Sequence, residues 1–104
     1  MSGSDLRNAF VNLRGHDFTS VVSRMRAHLE RADLGRAHLE RAYLSLAHLE
    51  GAYLRGAHLE EANLFEAHLE GADLREAHLE KAFLEGADLS GANLEKAYHI
   101  SKGP

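Results

Sequence analysis

Residues 27–39, Ala27-His28-Leu29-Glu30-Arg31-Ala32-Asp33-Leu34-Gly35-Arg36-Ala37-His38-Leu39, decide the fold. Alanine returns at every fifth position from Ala27 to Ala97, and leucine sits two residues after each alanine from Leu29 to Leu94. An α-helix turns by about 100° per residue, so residues five apart are rotated by roughly 140° and the leucines spiral around the cylinder. No apolar stripe results. A continuous strand has a side-chain period of two, so an odd repeat sends successive leucines to opposite faces of a sheet. The spacing is satisfied when each Ala-x-Leu is a short extended stretch with both ends inward and the next two residues turn a corner.

The chain then coils on itself, and each turn stacks on the last at the inter-strand distance of about 4.8 Å. Gly51, Gly56, Gly71, Gly86 and Gly91 all fall on the second residue after a leucine, the place where a corner calls for positive φ. Proline is absent before Pro104, as a ladder that needs its backbone donors requires.

Units such as Ala32-Asp33-Leu34, Ala57-His58-Leu59 and Ala62-Asn63-Leu64 resemble the pentapeptide-repeat family, whose signature is Ala-Asp/Asn-Leu-x-x. Fourteen consecutive units follow that signature in their Ala and Leu positions, while the middle position departs from it in the His, Tyr and Phe units. The resemblance implies an all-β fold: a right-handed quadrilateral β-helix with four pentapeptides per coil and about four to five coils.

At 104 residues the chain is expected to be a single domain, 1–104. Within it, 1–10 reads as an N-terminal cap, 11–26 as imperfect repeats with a phase shift, 27–98 as regular repeats and 99–104 as a C-terminal tail. The phase shift is visible because Leu13 and Phe18, the centres of two upstream units, are one residue out of step with Leu29 onward. His16 stands there at an inward position normally given to a small residue. At the other end His99 replaces the expected leucine.

There is no cysteine, which removes disulfide and thiol chemistry, and no apolar run of the length a membrane span requires. A cytoplasmic location without membrane association is the expectation. The net charge of −4 is uneven: residues 1–41 hold seven basic and five acidic side chains, whereas 42–104 hold five basic and eleven acidic. A solenoid maps this onto its axis as a dipole.

With the four sides per coil that the resemblance implies, residues twenty apart stack. One face then carries His28, His48 and His68 beside Glu30, Glu50 and Glu70, and the opposite face carries His38, His58 and His78 beside Glu40, Glu60 and Glu80. Imidazole and carboxylate are ordinary ligands for Zn²⁺, Ni²⁺ or Cu²⁺, so these six histidines are the candidate metal ligands. The reading favoured on sequence is a solvated ladder with no cofactor, since nothing in the pattern supplies an outer shell or excludes water. A third face groups Tyr43, Leu46, Phe65 and Phe83, large apolar side chains directed outward, and Tyr98 lies near the last coil. These five are the candidate contact residues.

No nucleophile–base pair is placed in a pocket, so the chain reads as a non-enzymatic structural or protein-interaction solenoid with a protein partner of unknown identity. A homodimer through the C-terminal coils is expected, because the pattern stops at Ala97 with no capping helix after it. Two alternatives stand beside this. Resemblance to topoisomerase-protecting members implies a DNA-mimic regulator of a DNA topoisomerase, itself binding no nucleic acid, although Arg31, Arg41 and Lys81 interrupt the glutamate columns. The other is a natural or engineered metal-binding scaffold built on the histidine ladders.

Overall fold

The computed structural model describes residues 28–99. The expected cap, the phase-shifted units with His16 and the tail beyond His99 lie outside the described residues. From His28 to His78 every middle residue pairs in parallel with the one twenty positions on. The four columns are His28–His48–His68–Asp88, Asp33–Tyr53–Asp73–Asn93, His38–His58–His78 and Tyr43–Asn63–Phe83. The third column is extended by β1 (His78–Leu79) and β2 (Tyr98–His99), parallel with His78 opposite Tyr98 and Leu79 opposite His99. The described residues therefore make three complete four-sided coils and three sides of the next.

Each five-residue unit uses its backbone groups in the same way. The leucine N–H donates to the middle carbonyl of the next coil, as Leu29 does to His48 at 2.8 Å, and the second corner residue donates one coil on, as Arg31 does to Glu50 at 3.0 Å. The middle N–H donates back to the alanine carbonyl of the previous coil, as Tyr53 does to Ala32 at 2.9 Å. The alanine N–H closes the corner onto the preceding leucine carbonyl, from Ala32–Leu29 at 3.1 Å to Ala97–Leu94 at 2.9 Å. One donor per unit is left, the N–H of the first corner residue. Wherever the middle residue is Asp or Asn, its Oδ1 accepts that proton: Asp33 from Gly35, Asn63 from Phe65, Asp73 from Arg75, Asp88 from Ser90 and Asn93 from Glu95, at 3.0–3.2 Å. Full satisfaction of the backbone is thus the physical reason for Asp or Asn at that position.

The corners are type II turns, which need positive φ at their second residue. All five glycines expected there have φ between 67° and 75°. Nine other corners hold Arg, Leu, Glu or Lys at φ of 55–65°, a conformation disfavoured by roughly 1–2 kcal/mol for an L-residue and imposed here by the coil. Lys81→Gly is therefore expected to raise stability by about 0.5–1 kcal/mol, the steric relief exceeding the added chain entropy of glycine, and to raise the midpoint of urea unfolding accordingly.

Inside the coil, alanine and leucine fill the whole cross-section. Leu29, Leu34, Leu39 and every fifth residue onward to Leu79 are at most 1% exposed, and the alanines from Ala32 to Ala77 are fully buried. A buried leucine contributes at most about 1.5–3 kcal/mol before chain entropy is set against it. Burial fades in the last described coil, where Leu84, Ala87, Leu89, Ala92 and Ala97 are only partly buried and Leu94 is 37% exposed. No helix among the described residues is long and apolar enough to cross a membrane.

Candidate functional site

The functional surface is the set of middle and corner side chains that the coil turns outward. The columns place the histidines in register: ring centroids of His28, His48 and His68 follow at 4.9 and 4.8 Å, with planes within 3° of parallel. On the opposite face His38, His58 and His78 are spaced at 4.8 Å, and Tyr98 continues the stack 4.6 Å beyond His78. Each ring turns Nδ1 toward the glutamate two residues on, with Nδ1–Oε2 distances of 3.1 Å for His48–Glu50, 3.3 Å for His58–Glu60 and 3.5 Å for His28–Glu30. The second carboxylate oxygen of Glu30, Glu50, Glu60, Glu70 and Glu80 is buried and has no hydrogen-bond partner.

Four groups bring three ligand atoms within 4.8 Å of one another: Glu30, His48 and Glu50; Glu50, His68 and Glu70; Glu40, His58 and Glu60; Glu60, His78 and Glu80. The six histidines picked out by spacing are thus assembled as two ladders. Four of them have a carboxylate from the coil below as well as their own.

The Asp33 column has a different chemistry. Arg75 grips Asp73 through two bonds, Nε to Oδ1 at 2.8 Å and a terminal nitrogen to Oδ2 at 2.6 Å. That guanidinium holds the Asp73 carboxyl below its ordinary range. Asp88 is likewise held low, chiefly by the Ser90 hydroxyl donating to it. Arg55 bridges to Glu76 at 3.4 Å, and Arg41 to Glu61 at 3.6 Å. Exposed pairs of this kind add little stability.

The candidate contact residues are placed unevenly. Tyr43 and Phe83 share a column with Asn63 between them and are 58% and 65% exposed, and Phe65, at the corner beside Asn63, is 42% exposed. Leu46 is half-buried at its corner. Tyr98 lies on a different face, over His78. Tyr53 and Leu94 are also exposed large apolar residues; the first sits on the mixed-charge face and the second owes its exposure to the end of the described stack, which composition alone does not reveal. A groove of about 570 Å³ runs between Arg36, Gly56 and Glu76 and the His38–Tyr98 column, and it is open to solvent.

Comparison with known proteins agrees with this geometry. The family model for pentapeptide repeats matches residues 25–60, 42–80 and 67–98. Among solved structures, the chain is similar to HetL, a pentapeptide-repeat protein involved in heterocyst differentiation regulation from the cyanobacterium Nostoc sp. strain PCC 7120, with 36% identity and a TM-score of 0.65. That match covers 88% of this chain and 43% of HetL, so the chain spans less than half of HetL's length. It is also similar to the pentapeptide-repeat protein Rfr23 from the cyanobacterium Cyanothece 51142, at 29% identity and a TM-score of 0.57, over 88% of this chain and 85% of Rfr23. No curated protein sequence matches. The chain belongs to the pentapeptide-repeat family and has its right-handed β-helical solenoid fold.

Proposed function

We propose that the chain is a non-enzymatic interaction scaffold that pairs with a second copy of itself through its C-terminal coil, in the cytoplasm. The observation that carries this reading is the filled interior: alanine and leucine occupy the coil completely, so among the described residues substrate has no enclosed site and function is left to the outer surface. The C-terminal coil supports the choice of partner. In earlier coils each leucine N–H is received by the coil above and its side chain is sealed, whereas Leu84 and Leu89 are only half-covered and Leu94 is exposed. A second copy offers the same edge, and two such edges close as a two-fold pair.

The acidic character of residues 42–104 opposes that pairing at low ionic strength. Added salt should therefore tighten the dimer. Multi-angle light scattering at high micromolar concentration is expected to give twice the chain mass, reduced to one by Leu94→Glu and unaffected by Phe65→Glu. Loss of the dimer with Phe65→Glu alone would move the interface to the Tyr43–Phe83 face, and a wild-type monomer would remove the proposal.

A further inference from the structure

We propose that the two histidine–glutamate columns are binding sites for divalent transition-metal ions, one ion per face, held by an Nδ1 nitrogen and carboxylates from two successive coils. The spacing of histidines alone favours a solvated ladder. Three features of the folded coil point the other way.

The first is the donor geometry. A four-coordinate Zn²⁺ with bonds near 2.0–2.1 Å puts neighbouring ligand atoms roughly 3.3–3.4 Å apart. The Nδ1–Oε2 distances of 3.1 Å at His48–Glu50, 3.3 Å at His58–Glu60 and 3.4 Å at His68–Glu70 are edges of that size. A carboxylate from the coil below, Glu30, Glu40 or Glu50 respectively, brings a third ligand atom within 4.8 Å of the other two. Water completes the set.

The second is the unsatisfied oxygen. In five of the six glutamates one carboxylate oxygen is buried without a hydrogen-bond partner. Such an atom loses its hydration and receives nothing in return, and the carboxylates one coil apart carry like charge. A dication between coils answers both deficits at once.

The third is preorganisation. The rings are held parallel within 5° along the His28–His68 and His38–His78 stacks, and every backbone unit beneath them is pinned to its neighbours. The Nδ1 edges therefore face the carboxylates without a search through rotamers, which supplies the rigid support that the sequence pattern does not display.

The stoichiometry follows from sharing. The two overlapping groups on one face use Glu50 in common, and those on the other use Glu60. With one ligand oxygen from the shared glutamate, only one of the two groups on a face is complete at a time, so each face takes one ion.

Calorimetric titration of the full chain with Zn²⁺ tests this, with circular dichroism confirming that each variant keeps the fold. Glu50 and Glu60 lie on corners outside the core, so glutamine is accommodated at both. Wild type is expected to bind two ions saturably with a Kd at or below about 10 µM. Glu50→Gln and Glu60→Gln should each leave one ion bound, and the double variant should bind at least ten-fold more weakly. Absence of saturation below about 100 µM Zn²⁺ would overturn the proposal, as would a double variant that binds within ten-fold of wild type. Loss of both ions in Glu50→Gln alone would overturn the placement of one ion on each face.

Discussion

Replacing Leu59 by lysine should abolish the folded coil, while Glu60→Lys, one residue further on, should leave it intact. Leu59 is fully buried within a core made only of alanine and leucine, and its neighbour His58 is in register between His38 and His78. Truncating such a leucine to alanine costs about 2–5 kcal/mol, and a lysine adds an unpaired charge with no polar group to receive it. The total is on the order of the whole stability of a small domain, about 5–15 kcal/mol. Glu60 points outward, where a lysine in the metal-free coil loses the contact with His58 without disturbing the core, an effect on stability within about 1 kcal/mol. Expression level and far-ultraviolet circular dichroism separate the two. Equal effects would mean that the inward register is wrong.

Asn63→Pro should be nearly as damaging, through the backbone. The Asn63 N–H donates to the Ala42 carbonyl at 2.9 Å, one of the bonds that join the first coil to the second, and proline has no proton to give. Its side chain also cannot accept the Phe65 N–H as Asn63 Oδ1 does at 3.0 Å. The combined loss is about 3 kcal/mol or more. Asn63→His keeps the rung bond and places at this position a residue that the coil already carries six times between His28 and His78, so its cost should stay near 1 kcal/mol. Urea unfolding monitored by circular dichroism gives both values.

The sequence made the interior legible because a period of five leaves Ala and Leu only one common side on which to meet. Leu29 through Leu79 are buried where the spacing put them, and Gly51, Gly56, Gly71, Gly86 and Gly91 have the positive φ that their corner position called for. The same left-handed backbone at Arg31, Glu61 or Lys81 was not legible, since those side chains carry no local preference for it and the coil imposes it. On the surface, spacing was enough to align the histidines. It did not reveal that the glutamate carboxylates fold back against Nδ1 and bury their second oxygen, because that depends on side-chain torsions and on the coil below. Leu94 is a similar case: its residue type promised burial, and its place in the stack decided exposure.

The role of Asp or Asn at the middle position also became clear only from the bonds. Asp33, Asn63, Asp73, Asp88 and Asn93 each cap the one backbone donor that the ladder and the corner leave over. Histidine units instead direct their polar edge to the corner carboxylate, so Asp and Asn units satisfy backbone while histidine units display side-chain chemistry. This division is what makes an inert filled rod a surface with distinct columns.

The twenty-residue coil sets every column of the surface, and the absence of cysteine permits a clean measurement of it by engineered disulfides. Asn63 and Phe83 are rung partners on one face, whereas Tyr53 and Asn63 lie on opposite faces. Adjacent rungs about 4.8 Å apart fall within the 4.4–6.8 Å Cα separation that a disulfide spans, roughly, and opposite faces do not. Mild oxidation followed by mass spectrometry should show an intramolecular disulfide in the Asn63→Cys/Phe83→Cys variant and free thiols in Tyr53→Cys/Asn63→Cys. Cross-linking of the second pair with none in the first would contradict the four-sided coil.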